Sequence, residues 1–162
     1  MNYDAEAREP LSRRLPRDLP TAEPAIVVGL DGSTTSWDAF AWAAGEALRT
    51  NGRLVAVYVM PYSDPTAALG VPYDFAAARD TQKELAAEIE AEAGRRAQEA
   101  GVQLSFVGEY GDAIGTLSDV AREVDARLVV VGRSSKRWHR LTGSLGHRLT
   151  CRKDAPVVVV VP

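Results

Sequence analysis

The segment Gly132-Arg133-Ser134-Ser135-Lys136-Arg137-Trp138-His139-Arg140-Leu141-Thr142-Gly143-Ser144 carries the clearest chemical potential in this chain. It joins a small-residue turn to a basic stretch and closes on a Gly-Ser pair that reads as a helix start. Backbone N–H groups in such a turn, together with the unpaired N–H groups of a first helical turn, suit a phosphate. Arg133, Lys136, Arg137 and Arg140 add Coulomb attraction to any anion held there. The competing reading is a solvated basic loop. Trp138 either stacks on a base or packs across the loop.

The charge distribution favours a small anion over a polyanion. Residues 133–153 hold seven of the 19 Lys and Arg residues and no acidic residue, in a chain whose net charge is −3. The remainder is therefore strongly acidic, which disfavours nucleic acid as a partner. His139 and His147 have no Cys, Asp or Glu at ligand spacing, so no metal site is expected. Ser144 and His147 lack a local acid to orient the imidazole, which argues against a hydrolase triad. Cys151 is the only cysteine. It excludes an intrachain disulfide and reads as a small buried apolar residue in a reducing compartment. No apolar run approaches the roughly 20 residues that span a bilayer, and the N-terminal residues do not read as a secretory signal. The cytoplasm is the expected location.

A second chemical position is Asp31, in Asp31-Gly32-Ser33. A carboxylate there can accept hydrogen bonds from a ribose hydroxyl or an adenine amino group, or can cap its own turn. Gly29 and Gly32 do not complete a G-x-G-x-x-G fingerprint, and no Walker-type lysine motif occurs.

These residues must be placed by a framework, and the apolar pattern describes one. Ala25–Leu30, Leu54–Met60, Val102–Gly108, Leu128–Val131 and Val157–Val161 read as strands. The first helix is expected over Ser36–Asn51, with Ser36 as N-cap, Asp38 in the first turn, and Phe40, Ala43, Ala44, Ala47 and Leu48 on its inner face. Pro61 to Ala78 reads as a loop. A capping box at Thr81 and Glu84 then starts a helix whose stripe is Leu85, Ile89, Ala93 and Ala97. Asp112 caps a helix carrying Ile114, Leu117, Ala121 and Val124, and a last helix is expected over Ser144–Lys153. Residues 1–24 contain four of the nine prolines and read as a flexible extension outside the domain at 25–162. Leu11, Leu15 and Leu19 recur every four residues there, but the prolines oppose a helix.

Alternating strands and helices, with strands apolar on both faces, predict an α/β fold. Its form is a doubly wound, mainly parallel five-stranded sheet with helices on both faces, Rossmann-like. Ligands bind such sheets at the carboxyl ends of the strands, beside the topological switch. That rule converges on Asp31, Val59-Met60 and Gly132.

The order of these pieces resembles the universal stress protein family over Ala25 to Pro162. The residues that carry the likeness are Ile26-Val27-Val28-Gly29-Leu30-Asp31-Gly32-Ser33, Gly111-Asp112-Ala113, Leu128-Val129-Val130-Val131-Gly132, Gly143-Ser144 and the closing Ala155-Pro156-Val157-Val158-Val159-Val160-Val161-Pro162. ATP-binding members of that family carry G-x2-G-x9-G-(S/T) after the fourth strand. Gly132 matches the first glycine and Gly143-Ser144 the final pair, Asp31 matches the aspartate near the nucleoside, and Val59 matches the residue whose backbone meets adenine. The family's second glycine falls on Ser135, and seven residues rather than nine separate it from Gly143. Serine is poorer than glycine at positive φ and close backbone approach.

The resemblance implies an adenine-nucleotide (ATP) binding regulatory module of the stress response, with at most slow ATP hydrolysis and with Mg accompanying ATP. The nucleotide site so implied comprises Asp31, Gly32, Ser33, Val59, Val131, Gly132, Ser135, Lys136, Arg137, Arg140, Gly143, Ser144 and Leu145. The alternative is a nucleotide-independent dimeric interaction protein whose altered loop has lost ATP. Both readings include a homodimer through Val157–Val161, whose five valines would leave an apolar edge exposed in a monomer. An adenylyl-transfer enzyme is a third reading, but no catalytic loop motif supports it.

Overall fold

The computed structural model describes residues 12–13, 23–60, 75–133 and 157–162. In chain order the elements are β1 (Ser12–Arg13), β2 (Ala25–Leu30), α1 (Thr34–Thr50), β3 (Arg53–Met60), α2 (Phe75–Ala100), β4 (Leu104–Tyr110), α3 (Ala113–Glu123), β5 (Ala126–Gly132) and β6 (Val157–Val161). They form one sheet of order β1-β4-β3-β2-β5-β6. The five longer strands are mutually parallel, and only β1 runs antiparallel to its neighbour. This is the doubly wound α/β architecture expected from the apolar runs. Sequence analysis placed no strand within residues 1–24. Ser12 and Arg13 nevertheless pair with Gly108 and Val107, because a ladder is made by backbone groups and needs no side-chain pattern.

Strand residues alternate between two cores. Ile26, Val28 and Leu30 face α1 and α2, with Phe40, Ala43, Ile89 and Ala93 packed on them. Val27, Val55, Val57 and Val129 face α3 and meet Leu117, Val120 and Ala121. Burial on both faces is why the strands read as continuous apolar runs rather than alternating ones.

The helix boundaries correct several expectations. Ser33, not Ser36, is the N-cap of α1, and its hydroxyl accepts the Ser36 N–H at 3.2 Å. The first turn of α1 holds no acidic residue, so Asp38 lies beyond it. Leu48 is 53% exposed, outside the buried face. In α2 the buried stripe runs through Ala86, Ile89, Ala93 and Ala97, and Leu85 is 41% exposed. The apolar i+4 spacing from Leu85 to Ile89 misassigned that first position by one residue. This helix also begins at Phe75 rather than Thr81, consistent with the high helix propensity of an alanine run at 76–78. Asn51 closes α1 in the left-handed region at φ 49°. Asp112 caps α3 as expected, accepting the Gly115 N–H at 2.8 Å. The helix expected over Ser144–Lys153 lies outside the described residues.

Two contacts hold the helices in place. The Arg96 guanidinium stacks 4.6 Å from the centroid of Trp37, joining α2 to α1. On the other face, buried Arg53 donates to the Val124 carbonyl at 3.3 Å, capping the end of α3. No helix among the described residues is long and apolar enough to cross a membrane.

Candidate functional site

The chain leaves β2 and β5 in opposite directions. β3 lies on one side of β2 and β5 on the other, so connections diverge above the carboxyl ends of β2 and β5. That divergence opens a crevice. A cavity of about 170 Å³ occupies it.

The cavity floor and walls are apolar: Val57 and Val59 from β3, Val131 from β5, Ala113 and Leu117 from α3. The polar rim is Asp31 and Ser33 from the turn between β2 and α1, with Thr35 and Ser36 from the first turn of α1, and Gly132 closes it from β5. An apolar slot with a few placed polar groups is the usual composition of a small-molecule site.

The rim turn is held by its own hydrogen bonds. Asp31 Oδ1 accepts the Ser33 N–H at 2.9 Å. Ser36 Oγ donates to the Ser33 carbonyl at 2.8 Å and accepts the Asp31 N–H at 3.4 Å. Gly32 sits at φ +78°, a conformation that a side chain opposes. Asp31 therefore has a turn-forming role in the fold, and that bond also orients its carboxylate at the rim.

Gly132 has a packing role as well. A Cβ built on it would stand 2.8 Å from Ser36 N and closer still to the Thr35 carbonyl. The carboxyl end of β5 thus touches the first turn of α1 directly, backbone against backbone.

Beside Leu30 in the sheet, on the side facing α1 and α2, lies buried Tyr58. Burial raises its hydroxyl pKa above 10.0, and the charge of Asp31 and the neighbouring Tyr110 push it the same way. The folded state keeps the proton after the unfolded chain has lost it, so stability falls as pH rises from about 10 through the folded-state value. Asp31→Asn lowers the Tyr58 titration point, and absorbance at 295 nm during alkaline titration reads that shift. An unmoved titration curve would mean that the Asp31 charge does not reach the phenol.

The structure brings together Asp31, Ser33, Val59, Val131 and Gly132 of the residues singled out in the sequence. Gly32 shapes the turn without lining the cavity. Ser135, Lys136, Arg137, Arg140, Gly143, Ser144 and Leu145 lie outside the described residues. Met60 points away from the cavity into the α1–α2 core. Sequence reasoning missed Val57, Ala113 and Leu117 as lining residues. Period-two spacing from Val59 signals Val57, and Ala113 directly follows the Gly111-Asp112 pair. Leu117 was legible only as an apolar helix position. Thr35 carried no signal, and Gly29 was read only as part of the family motif.

Residues 24–161 match the family model of the universal stress protein family. The chain belongs to that family. Among solved structures, a universal stress protein family member from Burkholderia pseudomallei is 28% identical with a TM-score of 0.68, over 85% of this chain and 95% of that one. A universal stress protein solved in complex with cAMP is 27% identical with a TM-score of 0.62, over 86% of this chain and 96% of that chain. The family member from Archaeoglobus fulgidus in complex with dAMP shares the fold at 20% identity and a TM-score of 0.62, over 88% of this chain and all of that one (100%). No match was found among curated proteins.

Proposed function

We propose that this universal stress protein is a binding module for an adenine nucleotide, seated in the crevice between β2 and β5. The observation that carries this reading is one cavity lined by the carboxyl-end residues Asp31, Val59 and Gly132 of three separate strands. Val57, Val59, Val131 and Leu117 form an apolar slot for the base. Asp31 meets the ribose or base as a hydrogen-bond acceptor. A cavity of about 170 Å³ is smaller than the roughly 300 Å³ and more of a whole-ligand site, so it takes the nucleoside part. The phosphates then extend toward the segment with Ser135, Lys136, Arg137, Arg140, Gly143, Ser144 and Leu145. Cationic side chains there replace contacts that the missing glycine would have allowed, and Mg accompanies ATP if ATP is the occupant. The relatives with bound cAMP and dAMP support the adenine class without selecting a phosphate number. The output is a binding-linked signal rather than efficient turnover, in the cytoplasm.

A second reading keeps the fold and discards the nucleotide. Asp31 holds its turn and Gly132 packs on α1, so both residues have reasons to be present without any ligand. The deciding experiment denatures freshly purified protein, identifies any released nucleotide, and then titrates ATP, ADP, AMP and cyclic AMP by calorimetry. Saturable heat with one stoichiometric adenine nucleotide supports the binding module. No released nucleotide and no heat at millimolar ligand gives the interaction-protein reading.

Both readings include a homodimer through β6. This strand lies at the end of the sheet order, and Val157 and Val160 are 64% and 47% exposed. Pairing with its copy removes an exposed apolar edge. Val157→Lys together with Val160→Lys should turn a dimer into a monomer in sedimentation velocity while far-UV ellipticity stays unchanged. A dimer that persists in this variant places the interface elsewhere.

A further inference from the structure

One position in the crevice lacks a side chain without a backbone reason for it. Gly29 lies in β2, the strand with β3 on one side and β5 on the other. Its register partners are Val57 and Val131, and all three line the cavity. Elsewhere that face of the sheet is filled by apolar side chains, with Ala25 and Val27 in β2, Val55 and Val57 in β3, and Val129 and Val131 in β5. Alternation along β2 places Gly29 in the same row. It is also the one residue of β2 that is not fully buried.

The fold does not ask for glycine here. Gly29 is not among the residues at positive φ, so its backbone suits any L-residue. The pairing with β3 and β5 runs through it without a register shift. The atoms nearest to a Cβ built on it all belong to side chains: Leu117 Cδ1 at 3.3 Å, Val131 Cγ1 at 3.4 Å and Leu117 Cδ2 at 3.5 Å. Gly132 differs, since a Cβ there would strike backbone. Leu117 itself lines the cavity, so its methyl groups have open space to yield into. A glycine inside a strand weakens it through backbone entropy and missing packing. What the absent side chain provides in return is the cavity.

We propose that Gly29 is a specificity-determining residue of the crevice, the bare patch of β2 on which the flat ring of the ligand rests. This inference rests on the adenine-nucleotide reading and adds to it the contact that sets the depth of the slot. Val57 and Val131 stand on either side, so the ring reaches the β2 backbone only because no Cβ stands between them. The floor offers apolar contact and no side-chain hydrogen bond, and at this point the ring is recognised by shape. An alanine raises the floor by one methyl group and makes Leu117 yield into the space that remains.

The test compares Gly29→Ala and Gly29→Val in the full chain with the parent, by calorimetric titration of AMP and by urea unfolding. Gly29→Ala should weaken AMP binding at least about tenfold, the effect of one carbon in a close-fitting pocket, and Gly29→Val should weaken it further. The urea midpoint of Gly29→Ala should equal or exceed the parent's, because the strand gains packing and the unfolded chain loses freedom. Gly45→Ala is the control. Gly45 lies in α1, where a Cβ meets nothing within 4 Å, so this variant should bind AMP as the parent does. Parent-like affinity in Gly29→Ala overturns the inference and leaves the nucleotide reading in place. So does a lowered midpoint in Gly29→Ala, which would make the glycine a requirement of the fold, or an equal loss of affinity in Gly45→Ala. A parent that binds no AMP overturns both the inference and the reading beneath it.

Discussion

Gly132→Ala lowers the unfolding free energy by about 1–3 kcal/mol, the range for inserting atoms into a packed site. The new Cβ meets the Thr35 carbonyl and Ser36 N, and these are backbone atoms of the first turn of α1. A flexible side chain could swing aside, but this turn is held by the Ser33 cap and the Ser36 hydroxyl. Relief requires moving α1 away from β5, which loosens Ala39, Phe40 and Ala43 in the core beneath it. Urea unfolding measures the loss, expected as a lower midpoint at unchanged slope. A midpoint equal to the parent would show that the start of α1 yields freely. The consequence for function is direct. Loss of nucleotide affinity in a Gly132 variant reports the position of α1 as much as any phosphate contact, so Gly132 is a poor probe of the phosphate grip.

Asp31→Asn is the sharper probe, and it weakens adenine-nucleotide binding by about 10- to 100-fold. A hydrogen bond to a charged group is worth about 1.5–3 kcal/mol, and the amide removes the charge while keeping an oxygen acceptor. That oxygen can still accept the Ser33 N–H, so the turn and the unfolding midpoint stay near the parent's. Asp31→Ala removes both functions, and it loses affinity together with some stability. Calorimetric titration beside urea unfolding separates the two effects. Equal affinity in Asp31→Asn and parent would reduce Asp31 to a turn former. It would also favour the nucleotide-independent reading.

Much of the fold was legible because burial on both faces writes itself into sequence as continuous apolar runs. Ala25–Leu30 begins and ends where its apolar run does. Caps were half legible. Asp112 stands alone before its helix, whereas Ser33, Thr34, Thr35 and Ser36 offer four hydroxyls in succession and local chemistry does not choose among them. The choice falls on Ser33 because the chain must turn at Gly32 to bring α1 back over the sheet. Helix faces failed at single positions for a related reason. Leu48 and Leu85 are as apolar as their buried neighbours, but each lies at the flank of its helix, where only the position of the next element decides exposure.

The sequence by itself determined the α/β class, the five parallel strands, the family, and the convergence of Asp31, Val59 and Gly132 on one rim. Those follow from local periodicity and from the rule that crossovers place strand ends together. Tertiary structure alone decided that Gly132 is a contact between β5 and α1, and that the Asp31 charge acts on buried Tyr58. It also decided that Ser12 and Arg13, from a segment with no strand pattern, pair with Gly108 and Val107 of β4. Each of these joins residues far apart in the chain through close approach or backbone pairing. Neither leaves a periodic trace in either partner.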